Sequence, residues 1–164
     1  MIIRHAEPND AEKLVHLMEQ VEKSNFMLFE PGERKIPVEA QRKRIKAINE
    51  DLTSSIFLAE DDGELAGFLF ATGGNPARAK HRVYVVLGVA SHFRGKGIGT
   101  KLFEHLDRWA KEQSIHRLEL TVMHHNHTGI GLYKKMGFTI EGTKKHSLFV
   151  NGKYVDEYYM SKII

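Results

Sequence analysis

The chain of 164 residues has no cysteine, only 4 prolines and a single tryptophan. Without cysteine there is no disulfide framework and no thiol nucleophile. No apolar run reaches the length of a membrane span, and Met1 to Asn9 lacks the charged-then-apolar pattern of a signal peptide. These absences make a soluble cytoplasmic protein the expectation. Repeats, linkers and low-complexity tracts are also missing. A chain of 164 residues is enough for one well-buried domain and too short for two ordinary ones, so a single domain over residues 1–164 is expected.

Hydrophobic residues make up 41% and charged residues 27%, a globular balance. The net charge of +3 and a pI near 9.0 raise the question of nucleic acid. However, the basic groups Arg42-Lys43-Arg44, Arg78 to Arg82, Lys134-Lys135 and Lys144-Lys145 are scattered and interrupted by acids. No stripe of aromatics accompanies them. Solvated faces and a few phosphate contacts account for them better than a nucleic-acid surface does.

The periodicities predict alternating elements. Ile2-Ile3-Arg4 reads as a first strand, and Asn9 with Glu12 as the cap of a helix whose inner face is Ala11, Leu14, Leu17, Met18 and Val21. Ser24 to Lys35 is irregular. A second helix is expected over Val38 to Leu52, with Ile45, Ile48 and Leu52 inward. Ser55 to Glu60 and Glu64 to Thr72 form strands around the hairpin signal Asp62-Gly63. His81 to Ala90 ends in the run of a strand buried on both faces. Ile98, Leu102, Phe103, Leu106, Trp109 and Ala110 then make one helical stripe. Arg117 to Met123 is a strand and Thr128 to Met136 a short helix. A last pair of strands begins at Gly137-Phe138 and carries a type I′ turn at Asn151-Gly152.

At the seam between the strand Val83 to Ala90 and the amphipathic helix lies Arg94-Gly95-Lys96-Gly97-Ile98-Gly99. Glycines there let backbone N–H groups crowd around an anion, and the positive end of a helix faces the same point. The segment points to a phosphorylated ligand, though a tight turn with hinge glycines uses the same residues. It is neither a Walker loop, which needs Gly-Lys where Thr100 stands, nor a Rossmann fingerprint, which needs a small residue there and an N-terminal βαβ setting that this chain lacks.

Arg-x-x-Gly-x-Gly after a strand resembles the acyl-CoA pyrophosphate loop of the GCN5-related N-acetyltransferases. A second match follows in order. After Leu118 to Met123 come Asn126 and Leu132-Tyr133-Lys134-Lys135-Met136-Gly137-Phe138, similar to the family's Asn…Tyr-x-x-x-Gly-Phe segment. The resemblance covers Val83 to Phe138 closely and the rest of the chain in element order. It implies an α/β fold with a mixed central sheet of six to seven strands and helices on both faces. It also implies an acetyltransferase using acetyl-CoA as cosubstrate, without a metal, on an amine acceptor. Dimers are frequent in the family; nucleic-acid and membrane partners are not expected.

The same resemblance assigns roles. Arg94, Gly95, Lys96, Gly97, Ile98 and Gly99 would cradle the pyrophosphate, with a Cβ at Gly97 or Gly99 pushing the ligand away. Leu87, Gly88 and Val89 would pair with the pantetheine amides as an added strand, Gly88 permitting a bulge, and offer an N–H to the developing oxyanion. Asn126 would bond the pantetheine arm, although an Asn at a helix start also serves as its N-cap. Tyr133 would be the general acid: a phenol of pKa about 10 can protonate a thiolate of pKa about 8.5. A core aromatic is the plain alternative. A glutamate that many members place on the fourth strand is absent between Arg82 and Ala90. Glu30 and Glu33 on the irregular segment are its substitutes, or else solvated turn residues. His124, His125 and His127 invite a metal reading, but neighbours on a strand point apart and zinc needs converging ligands. One of them lining the acceptor pocket is the better expectation. With no cysteine to carry an acetyl group, transfer to a small amine, polyamine or protein N-terminus would be direct, in a ternary complex. A CoA-binding regulatory module without turnover and a basic nucleic-acid-binding module are the alternatives.

Overall fold

The computed structural model describes residues 1–164. Seven strands and four α-helices follow in the order β1 (Ile2–His5), α1 (Ala11–Glu22), α2 (Val38–Asn49), β2 (Ser55–Asp61), β3 (Glu64–Gly73), β4 (Arg82–Val89), α3 (Ile98–Glu112), β5 (Arg117–Met123), α4 (His127–Lys135), β6 (Thr139–Val150) and β7 (Lys153–Ile163). The strands form one sheet in the order β1-β2-β3-β4-β5-β7-β6. All neighbours are antiparallel except β4 and β5, which run parallel. No helix is long and apolar enough to cross a membrane.

The core lies where β2, β3 and β4 are covered by helices. Leu14, Leu17 and Met18 of α1 and Ile45 of α2 cover one side, and Leu102, Phe103 and Leu106 of α3 join the same buried cluster with Phe57, Phe68 and Leu69. The stripe predicted for α3 is buried as expected. Both hairpin turns hold: Asp62 and Gly63 have φ of 48° and 77°, and Asn151 and Gly152 have 49° and 78°, the paired positive values of a type I′ turn.

Several local expectations give way. Asn9 does not cap α1. A 3₁₀ turn, Pro8–Asp10, precedes the helix, and the carboxylate of Asp10 accepts from the Glu7 N–H at 2.7 Å and from Arg4 Nη1 and Nη2 at 2.8 Å each. An ionised carboxylate with a guanidinium partner outcompetes a neutral amide for this place. Helix α2 stops at Asn49, and Leu52 is 79% exposed rather than inward. Asp51 ends it by accepting from Thr53 N–H, Thr53 Oγ1 and Ser54 Oγ at 2.8–2.9 Å, a turn that competes with helical bonding.

The feature that positions the site is a seam. Strands β4 and β5 pair only at Arg82↔Arg117, Val83↔Leu118 and Tyr84↔Glu119, and β4 then continues to Val89 against β3 alone. Val86, Leu87 and Val89 are therefore half-buried, not sealed on both faces as the apolar run suggested.

Candidate active site

Beyond Tyr84 the divergence of β4 and β5 opens a cavity of about 620 Å³. Its walls are mainly apolar, with Val85, Val86 and Leu87 on one side, Val122 and Met123 on the other, and Phe26, Met27 and Leu28 of the irregular segment across the mouth. Phe26, Met27 and Leu28 thus bring the irregular segment to the edge of this cavity. One side-chain bond spans the seam, between Tyr84 Oη and Thr121 Oγ1 at 2.7 Å.

The glycine loop approaches from the α3 side. Gly95 and Gly97 have φ of 76° and 78°, a left-handed backbone that an L residue adopts only with strain. A Cβ at either would meet nothing within 4 Å, so their need is conformational. The N–H groups of residues 95–100 donate to no protein acceptor; the first intrahelical bond, Lys101 N–H to the Gly97 carbonyl at 3.1 Å, comes after them. Consecutive unpaired donors at a helix start form a natural anion cradle. At Gly99 the space a Cβ would take is filled by protein and not by a ligand. A Cβ there would lie 2.6 Å from Leu132 Cδ2 and 3.6 Å from Leu87 Cδ2, so this glycine lets α3 pack against α4 and the end of β4. That contact ties the loop to the cavity, because Leu87 lines it and Tyr133 follows Leu132.

Gly88 also needs correction. It sits opposite Phe68 in an unbroken β3–β4 register, without a bulge, and a Cβ would lie 2.4 Å from Phe68 Cζ. The glycine makes room for an aromatic ring on the α1 side of the sheet. Leu87 points to the α3 side and Val86 to the α1 side, as alternation along a strand requires.

Tyr133 stands in the cavity wall on α4. Its ring packs edge-on against Phe103 at 5.8 Å and at a tilt against Phe138 at 6.2 Å, while its hydroxyl bonds to no protein group. The ring is held by packing, and the unpartnered hydroxyl belongs to a residue that lines the cavity. Burial of its surroundings, and then the neighbouring Tyr84, push its pKa up to about 12, so it is a neutral donor at physiological pH. Asn126 caps α4, accepting from Gly129 N–H at 3.0 Å through Oδ1. It also lines the cavity, where its Nδ2 remains a donor. The cap and the ligand contact are compatible.

The carboxylates stand elsewhere than expected. Glu33 is exposed in its turn, and Glu30 is exposed beside a separate pocket of about 60 Å³; neither lines the large cavity. The carboxylate that does is Glu157 of β7, 8% exposed, which accepts from Ser147 Oγ. Lys144, its neighbour in register on β6, lines the same cavity. Alternation on β7 carried a signal, since Val155 and Glu157 share a face, but only the pairing of β5 with β7 (Met123↔Glu157) turns that face to the seam. The three histidines do not line the cavity. His124 contacts the Asp156 carbonyl at 3.2 Å, and His125 packs on Phe26 at 5.3 Å.

Residues 16–138 match the acetyltransferase (GNAT) family model. The chain is 31% identical over 170 residues to the L-amino acid N-acetyltransferase AaaT of Escherichia coli, covering 99% of this chain and 98% of that one. It superposes on an acetyltransferase of the GNAT family from Streptococcus pneumoniae with a TM-score of 0.95 at 28% identity, over 99% and 98% of the two chains. A phosphinothricin acetyltransferase from Sinorhizobium meliloti in complex with acetyl-CoA shares the fold, with a TM-score of 0.88 at 19% identity over 99% of this chain and 88% of that one. The split sheet, the amide cradle and the family match agree: the chain belongs to the GNAT family and is an N-acetyltransferase.

Proposed function

We propose that the chain transfers acetyl from acetyl-CoA to a primary amine by direct attack in a ternary complex at the β4–β5 seam. The observation that carries this reading is the convergence on one cavity of the open edge of β4, the neutral hydroxyl of Tyr133 and the buried carboxylate of Glu157. On this reading the pyrophosphate takes the amides of residues 95–100, with Arg94 and Lys96 nearby in charge. The pantetheine arm lies along β4 from Leu87 to Val89, where the main chain has no partner in β5, and meets the Asn126 amide.

An amine of pKa about 10 is mostly protonated at neutral pH, and freeing it costs roughly 4 kcal/mol. Glu157, in an apolar wall, takes that proton directly or through one water. The amine nitrogen bonds to the thioester carbonyl carbon and gives up its second proton to solvent water, the carbon–sulfur bond breaks, and the departing thiolate receives the Tyr133 proton. The proton shed by the nitrogen restores the Tyr133 hydroxyl through water, and the one held by Glu157 leaves to solvent. Tyr133 and Glu157 are the catalytic pair in this scheme, and Glu30 and Glu33 are left to steer cations toward the mouth.

The test is acetyl-CoA turnover across a panel of amines, read as released thiol. Turnover that needs both Tyr133 and Glu157 supports the reading. Tight acetyl-CoA binding with no thiol release from any amine would make the chain a regulatory CoA-binding module instead.

A further inference from the structure

A second cavity, of about 140 Å³, adjoins the first and shares Met27, Leu28 and Val86 with it. Its polar lining is lopsided. Glu22 of α1, 3% exposed, accepts from Arg34 Nη2 at 2.7 Å. Arg34 lies over the Phe29 ring at 4.2 Å, and its Nε is buried without any acceptor. Arg44 of α2 extends over Phe70 at 4.9 Å and pairs with no carboxylate. Partial loss of hydration, and then the nearby Arg34 charge, lower the pKa of Arg44 from its ordinary value. Two guanidiniums thus face one carboxylate, and a buried N–H is left over. Cation–π contact with Phe29 and Phe70 holds the side chains but does not relieve their mutual repulsion. One further negative charge would.

We propose that Arg34 and Arg44 hold a carboxylate carried by the amine acceptor, so that the substrate is an amino acid-like zwitterion and not a polyamine. This rests on the reading of the seam as the acetyl-transfer site. A carboxylate fits better than a phosphate ester because it is singly charged, is planar like the guanidinium fork, and suits a small cavity. It also belongs to the acceptor and not to CoA. The pair lies with Val86 on the α1 side of the sheet, whereas the amide cradle is reached past Leu87 on the α3 side. The two cavities, joined along Met27, Leu28 and Val86, then complement a zwitterion: Arg34 and Arg44 face the carboxylate, and Glu157 takes the ammonium proton directly or through water. A polyamine would bring positive charge against two guanidiniums, which costs binding.

The experiment compares L-leucine with L-leucinamide, L-phenylalanine with L-phenylalaninamide, and β-alanine with β-alaninamide, with spermidine as the polycation, in wild type, R44Q and R34Q. Amidation removes the carboxylate and also makes the α-amine less basic, so intrinsic reactivity at neutral pH favours the amides. A preference for the acid in kcat/KM runs against that trend and reports recognition. The expected result is at least one acid preferred about 10-fold or more over its amide, expressed mainly in KM. That preference should collapse in R44Q while acetyl-CoA affinity and amide turnover hold. Arg44 is exposed and unpaired, so R44Q keeps the fold even if R34Q, which strands Glu22, does not. Amides or spermidine used as well as the acids by wild type, or a preference unchanged in R44Q, would overturn the inference and leave acetyl transfer standing. Thiol release from none of the amines would overturn the acetyl-transfer reading, and this inference with it.

Discussion

Strands β1 to β4 and strands β5 to β7 belong to one sheet but live in different surroundings. In the first group β2 and β3 are buried almost end to end, with α1 and α2 on one face and α3 on the other. In the second, β6 is exposed along most of its length and β7 buries only Val155, Glu157 and Ser161 on one face and Met160 on the other. The groups are stitched by three residue pairs, the Tyr84–Thr121 bond and an Arg82–Glu119 ion pair at 3.9 Å. The contrast teaches where such a sheet can open: not within the sandwiched half, where parting strands would expose Phe57, Phe68 and Leu69, but at the junction with the lightly covered half. There, unpaired main chain on β4 becomes a binding edge at small cost to the core.

The largest expected effect comes from the loop that feeds the seam. Gly97→Asp places a negative charge among the free amides at a site where a Cβ meets nothing, and Asp tolerates a left-handed backbone better than most residues. Calorimetry should find acetyl-CoA affinity lowered about 100-fold or more, because charge repulsion replaces charge-assisted bonds, while circular dichroism reports an intact fold. Tyr133→Phe keeps the packing on Phe103 and Phe138 and deletes the proton. Turnover should fall about 10²-fold or more with acetyl-CoA affinity held. The pH profile adds a check. Tyr133 is competent as an acid while protonated, and with a pKa near 12 it stays so throughout neutral and mildly alkaline pH, so it imposes no loss of activity up to pH about 10.

Next in size is Glu157→Gln, expected to lower turnover about 10- to 10²-fold at neutral pH. The loss should ease as pH rises toward the amine's own pKa, where the acceptor no longer needs a base. Glu30→Gln and Glu33→Gln should stay within about 2-fold, as exposed charges outside the cavity. A large, pH-dependent loss in either would move the base to the irregular segment. Gly88→Ala probes the sandwiched half, since its methyl would collide with Phe68. Thermal unfolding should reveal about 1–3 kcal/mol of destabilisation from overpacking, with activity per folded molecule largely kept. Smallest is Tyr84→Phe, which cuts the bridge to Thr121 and should cost about 0.5–1.5 kcal/mol in stability.

The sequence marked what is local. Asp62-Gly63 and Asn151-Gly152 demand their turns, the α3 stripe demands its buried face, and the Arg94–Gly99 loop and Tyr133 segment announce themselves through residue type and spacing. What it hid depends on non-local pairing. The apolar run of β4 suits a strand covered on both faces and equally the wall of a cavity, and only the short register with β5 decides between them. Glu157 looks like any acid on a hairpin until Met123 is set opposite it. Gly88 and Gly99 read as ligand-facing glycines, but Phe68 and Leu132 occupy the space a side chain would take. Asn9 and Leu52 failed for the opposite reason: Asp10 and Asp51, nearby in sequence, offered the backbone a stronger local partner.

Hydrogen–deuterium exchange with and without acetyl-CoA tests the seam most directly. If acetyl-CoA occupies the seam, binding should slow exchange at the amides of residues 95–100 and along Val85 to Val89, where donors lack a protein partner in β5, and leave the Asn151-Gly152 hairpin unchanged. Binding without protection along Val85 to Val89, or with protection confined to the β6–β7 hairpin, would contradict the placement of acetyl transfer at the β4–β5 junction.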